Sequence, residues 1–179
     1  MKRAAGFTLI ELMVTLAVMA VLAAAGTPFA LSWMDSNRQM QARNLMWEGI
    51  SQARAVALRN PGGAVAGMPS ARLKRASDNT LQVECVDGVT SGGIVIPCVP
   101  DPDLNPERVL WSSSVLPGGS ASTLQLTNAV GAASGDLSCV AFDNRGQRVT
   151  AGSDCVVAAD STRVAVGFSS QEVLHVDLL

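Results

Sequence analysis

The feature that most constrains this chain is an apolar stretch from Phe7 to Leu31, preceded by a short leader, Met1 to Gly6, that carries Lys2 and Arg3. The stretch exceeds the roughly 20 apolar residues a helix needs to cross a bilayer, and a helix satisfies its own backbone groups where lipid cannot. Its only ionisable side chain is Glu11. A carboxylate in hydrocarbon costs roughly 2.5 to 3.5 kcal/mol on insertion scales unless it meets a partner, so a simple anchor gains nothing from it. A secretory signal peptide is the competing reading, with a basic start, an apolar middle and Ala23 to Gly26 as a small-residue cleavage site. It has no use for an acid either. Glu11 therefore calls for a cation on another chain.

The helix is expected to outlast the membrane. Ser32 to Asn60 contains no proline or tight-turn signal, and Met46, Ile50, Ala53 and Ala57 fall at helical spacing beside Trp47, Arg54 and Leu58. That spacing predicts an apolar stripe packed on a folded domain. A continuous helix from Phe7 to Arg59 would reach about 80 Å at roughly 1.5 Å per residue. Pro28 removes a donor and crowds the preceding turn, which predicts a bend between Ala24 and Pro28, loosened by Gly26. Asn60-Pro61-Gly62-Gly63 is a strong stop. Arg38, Arg43, Arg54 and Arg59 read as solvated or dipole-matching cations.

After Gly63 the pattern changes to short runs between Gly, Pro, Ser and Asn clusters. Strands are expected at Ala64 to Met68, Ala71 to Lys74, Leu81 to Cys85, Ile94 to Ile96, Arg108 to Trp111, Thr123 to Leu126, Ser138 to Phe142, Val149 to Thr150, Arg163 to Phe168 and Val173 to Leu178. Their spacing favours an antiparallel β domain over βαβ units. The expected class is α+β, a long amino-terminal helix packed on a carboxy-terminal antiparallel β domain. It divides into a leader at 1–6, a membrane-spanning half-helix at 7–31, an amphipathic half-helix at 32–60 and a β-rich domain at 61–179.

Charge and cysteine usage narrow the function. The formal net charge is −2, and losing Lys2 and Arg3 with the leader lowers it to −4, which does not suit a general nucleic-acid binder. The four cysteines form no C-x-x-C pair, so disulfides in an oxidising compartment are favoured over zinc. Of the three pairings, Cys85 with Cys98 and Cys139 with Cys155 are expected, because each pair brackets a turn-rich segment. His175 is the only histidine, and its place in the last strand makes it a structural residue. Asp101-x-Asp103-x-Asn105 begins like a calcium loop, but Pro106 stands where glycine is needed and Ser112 where a bidentate glutamate is needed. With no P-loop or dinucleotide glycine pattern, neither an enzyme nor a metal or other cofactor is expected.

Gly6-Phe7-Thr8-Leu9-Ile10-Glu11-Leu12 resembles the GFTLIEL processing motif of type IV pilins and type II secretion pseudopilins at every position. The resemblance implies a prepilin peptidase that cuts after Gly6 and N-methylates Phe7. It also implies that Glu11 pairs with the terminal amine of a neighbouring subunit, and that Pro28 is the family's helix-bending proline. Cys139-Val-Ala-Phe142-Asp143-Asn144-Arg145-Gly146 is similar to the Phe-Asp-x-x-Gly turn of FimT/GspH-type minor pilins, and Arg163 to Val166 with the final hairpin is similar to their last strands. The implied protein is a minor pilin or pseudopilin, a structural subunit in the bacterial inner membrane with a periplasmic domain. Pilus and secretion pseudopilus both stay open, with the cysteines leaning towards the pilus. A filament-tip binding module for DNA or a surface is the alternative, supported by Arg72, Lys74 and Arg75. Against it, Glu172 stands in the final hairpin where some of those pilins carry arginines, and phosphate contacts dominate affinity for DNA.

Overall fold

The computed structural model describes residues 7–89, 93–98, 108–149, 155 and 161–178. One helix, α1 (Leu9–Arg59), precedes the strands β1 (Pro69–Arg75), β2 (Leu81–Cys85), β3 (Gly88–Val89), β4 (Val95–Ile96), β5 (Val109–Ser112), β6 (Ser122–Thr127), β7 (Ala133–Asp136), β8 (Cys139–Asp143), β9 (Arg148–Val149), β10 (Arg163–Phe168) and β11 (Leu174–Asp177). They form a five-stranded sheet in the order β5-β2-β1-β8-β9, a four-stranded sheet β11-β10-β6-β7, and the β3-β4 hairpin. All pairings are antiparallel. The class is α+β, with the second half of one long helix packed on both larger sheets.

Strand alternation explains how the helix seats. In β1, Ala71 and Leu73 are fully buried and pair with Cys85 and Val83 of β2. Arg72 and Lys74 fall on the opposite face, beside Glu84 and Gln82. From the other sheet come Leu124, Leu126, Val164, Val166 and Val176, which join Ala42, Met46, Ile50, Ala53 and Ala57 of α1 in one core. Two polar side chains of α1 are also built into this seam. Gln39, 3% exposed, donates from Nε2 to the carbonyls of Val166 at 2.9 Å and Glu172 at 2.7 Å. Arg54 donates to the Leu178 carbonyl at 2.8 Å and sits 5.5 Å from the Phe142 ring centroid. Arg54 is thus a cross-link between helix and sheet, not one of a solvated set. Its guanidinium is held between an aromatic face and a backbone carbonyl.

The helix runs unbroken through Pro28, and Thr27 Oγ1 donates back to the Ala23 carbonyl at 2.8 Å. It ends where Asn60 turns left-handed, φ 48° and ψ 57°. Asn60 then holds both backbone groups of Ala64, accepting from its N–H at 2.7 Å and donating to its carbonyl at 2.9 Å. Asn144 donates to the same carbonyl at 3.0 Å. With these groups taken by side chains, Ala64 to Met68 forms a turn-rich link and not the expected strand, and pairing begins at Pro69. The expected strand at Val149–Thr150 appears as Arg148–Val149, with Thr150 outside the described residues. Two strands were not anticipated. β7 reads Ala-Ser-Gly-Asp and is exposed throughout, so it lacks apolar alternation. β3 is two residues long and is set by a close approach of backbones. A Cβ on Gly88 would lie 1.7 Å from the Gly62 carbonyl oxygen.

The buried stripe of α1 carries a direct test. Met46 is fully buried and the adjacent Trp47 is 50% exposed. Met46→Ala is expected to cost about 2 to 5 kcal/mol, and Trp47→Ala to stay within about 0.5 kcal/mol, both read by urea denaturation of the fragment starting at Ser32.

Candidate functional site

The amino-terminal stem is the part of the chain that the domain does not explain. Every described residue from Phe7 to Met34 is exposed, and its most apolar window has a mean hydropathy of 2.2 with none of it buried. By length and composition this helix is able to cross a membrane. Thr8 ends it on the amino-terminal side, with extended backbone at φ −80° and ψ 150°. Its Oγ1 accepts from Glu11 N–H at 3.3 Å, and its N–H donates to Glu11 Oε2 at 3.5 Å. This is a capping box, and it places the Glu11 carboxylate in the first turn, where the helix dipole favours a negative charge.

Glu11 therefore has a role within its own helix that an intermolecular reading alone leaves out. The Thr-x-x-Glu spacing is a helix-start signal in its own right. The bond from Thr8 N–H is long, and an ionised carboxylate has four acceptor positions over its two oxygens, so capping leaves most of its capacity open to a second donor. Phe7 stands just outside the helix. Gly6, the leader and the Asp101-x-Asp103-x-Asn105 segment lie outside the described residues.

At the far end of the domain, the Phe142-Asp143-x-x-Gly146 turn is built around one carboxylate. Asp143 Oδ1 accepts from the N–H groups of Arg145 and Gln147, both at 2.9 Å, and Oδ2 accepts from Gly67 N–H at 3.3 Å. Gly146 supplies the left-handed φ of 73°. Asn144 does not serve this turn; it reaches to Ala64. Cys85 is bonded to Cys98 and Cys139 to Cys155, with Cα separations of 5.9 and 5.5 Å. His175 is exposed on β11 opposite Ala165, and no cluster of three or more metal-ligating side chains occurs among the described residues.

Arg72, Lys74 and Arg75 line one open basin of about 780 Å³ together with Gln82, Glu84 and Arg108. Their charges are engaged from within the fold. Arg72 Nε and Lys74 Nζ both donate to Glu84, whose side chain is 3% exposed, with the lysine at 2.8 Å. Arg75 donates to Asn79 Oδ1 at 2.8 Å and to the Ser122 carbonyl at 3.1 Å. Arg108 pairs with Asp87 at 2.7 Å. Burial pushes the Glu84 carboxyl up, but the hydrogen bonds and charges of Lys74 and Arg72 together outweigh it and hold the group below its ordinary 4.5. A carboxyl held lower in the folded than in the unfolded state contributes stability that is present above 4.5 and lost as pH falls through the folded value. Glu84→Gln is therefore expected to flatten the acid limb of a stability-against-pH curve. Parallel acid limbs in variant and parent would contradict this.

The family model described as the prokaryotic N-terminal methylation motif covers residues 1–27. Neither the curated proteins nor the solved structures contain a match. The matched segment takes in the leader, the capping box and most of the exposed apolar helix. The match supports a type IV pilin-like protein processed by a prepilin peptidase, with an amino-terminal helix suited to membrane anchoring.

Proposed function

We propose that this protein is a minor pilin or pseudopilin of the FimT/GspH type, a structural subunit cut after Gly6 and N-methylated at Phe7. Residues 7–31 hold it in the inner membrane before assembly. Residues 32–60 carry the stem onto the domain, and residues 61–179 form a periplasmic domain whose two disulfides suit that compartment. It joins a filament by packing its stem against the stems of other pilin subunits.

One observation carries this reading: an apolar stem from Phe7 to Met34, wholly exposed, projects from a domain that closes its core without it. Each Leu, Val or Phe side chain left in water forgoes roughly 1.5 to 3 kcal/mol. A stem of this length needs lipid or other stems. Glu11 supplies the specificity that apolar packing lacks. Paired with the amine of Phe7 on a neighbour, both charges are compensated, whereas either alone in a dry bundle would be strongly destabilising. Pro28 then sets a bend that lets stems wrap around one another.

The alternative, a filament-tip binding module, rests on the basin that contains Arg72, Lys74 and Arg75. Their bonds to Glu84, Asn79 and Ser122 give these cations partners inside the fold. The structural subunit is therefore the preferred reading. The disulfides lean it towards a pilus over a secretion pseudopilus.

Replacing Gly6 with a bulky residue is expected to leave the precursor uncut in cells that hold a prepilin peptidase. Mass spectrometry of the parent should find a methylated Phe7 terminus; a terminus after Ala25 or Gly26 would return the segment to a signal peptide. Glu11→Ala is expected to be cut and inserted, since its stem becomes more apolar, but to enter filaments poorly. Wild-type amounts of the variant in sheared filaments would remove the pairing role.

A further inference from the structure

The lower edge of the β domain is bonded to the stem at a definite height. Gln171, in the turn between β10 and β11, donates from Nε2 to Ser32 Oγ at 3.4 Å. Above it, Gln39 binds the carbonyls of Val166 and Glu172 on either side of this turn, and Arg38 lies 6.0 Å from the Phe168 ring centroid. The turn is closed on itself by the Gln171 N–H to Phe168 carbonyl bond at 3.1 Å. Contacts from Ser32, Arg38 and Gln39 of the helix thus fix how far it reaches down the helix.

That height coincides with a membrane surface. From Phe7 to Ser32 a helix rises roughly 38 Å, whereas the hydrocarbon layer is about 30 Å thick and the bilayer with its headgroups about 40 to 45 Å. Ser32 follows the last apolar residue of the stretch, and Trp33, 69% exposed, follows Ser32. Tryptophan concentrates at the interface because its ring is apolar and its N–H seeks a polar partner. A turn bonded to Ser32 shares that depth.

We propose that the turn from Ser169 to Gln171 rests on phospholipid headgroups, giving the domain a second foothold on the membrane beside the stem. This rests on the reading of residues 7–31 as a membrane span. The chemistry of the turn suits contact without insertion. Ser169, Ser170 and Gln171 offer neutral donors and acceptors and no apolar wedge, and the exposed Glu172 that follows them favours headgroup ammonium over phosphate. The nearest charges on the helix, Asp35 and Arg38, pair with each other at 3.4 Å. The other end of the sheet points away. Phe168 pairs with Ser122 and Arg163 with Thr127, so the β6–β7 loop with Val130 stands five strand residues further on, roughly 17 Å at 3.3 Å per residue.

The test uses the full chain, isotope-labelled, in nanodiscs of phosphatidylethanolamine and phosphatidylglycerol doped with a lipid bearing a gadolinium chelate on its headgroup. Relaxation enhancement of each backbone amide then reports distance from the headgroup layer. The expected result is strong enhancement at Trp33 and, to a comparable degree, at Ser169, Ser170 and Gln171, several-fold above Val130 and Gly131. Strong enhancement at Trp33 with the turn no higher than Val130 would overturn the foothold and leave the span intact. Weak enhancement at Trp33 itself would remove the span, and the foothold with it.

Discussion

The fold depends on one seam, the line along which the second half of α1 lies across two sheets. Neither sheet has a closed core alone. Leu73 and Val83 on one, and Leu124, Val164 and Val166 on the other, become a single buried cluster only when Ala42, Met46, Ile50, Ala53 and Ala57 are laid over them. Apolar burial supplies most of the free energy, but it is non-directional and would tolerate sliding. Gln39 and Arg54 remove that freedom. Each is bonded to backbone carbonyls of the β10–β11 side of the domain, so a shift of the helix would leave buried polar groups without partners, a cost of about 1 to 3 kcal/mol each.

The same helix meets two different surroundings. Below Asp35 it is largely apolar on all sides and touches almost nothing of its own domain; above it, one face is buried and the other is mostly polar. Lipid or other stems around the lower half, and water around the upper, would make both compositions stable. Glu11 belongs to the lower half and is its exception. The capping box shows that a carboxylate at this position is compatible with a well-started helix, so a polar contact to a second molecule and local helix order can reside in one residue without conflict.

What could be read from the sequence was what is periodic or local. Met46, Ile50, Ala53 and Ala57 repeat at helical spacing, β2 and β10 contain runs of strand formers between turn signals, and the cysteine pairs close short separations of 13 and 16 residues. What was missed depends on contacts remote in sequence. The bond from Arg54 to Leu178 spans 124 positions and that from Gln39 to Val166 spans 127, so no window around either residue contains its reason for being there. Ala64 to Met68 has a strand-like pattern, but Asn60 and Asn144 hold the backbone groups of Ala64. The Thr8–Glu11 capping box is local and legible, whereas the acid's place in an apolar run points only to a partner on another chain. At the basin, Arg72, Lys74 and Arg75 are close together in sequence, but only the register of β1 against β2 places Glu84 beside the first two.

The corner at Asn60 has a mechanical meaning. If the proposed subunit is anchored by its stem and pulled by its domain, tension runs along α1, and that load reaches the sheets by two routes. One is covalent, through the turn at Asn60 to Ala64, where three side-chain hydrogen bonds from two asparagines brace the chain before β1 begins. The other is the seam, which runs along the helix and is loaded in shear, so its apolar contacts and its Gln39 and Arg54 bonds must yield together and not one after another. A peeling force would find the weakest contact first. This geometry denies it that order, and the domain should stay on its stem under pulls that would unzip a sheet from its edge.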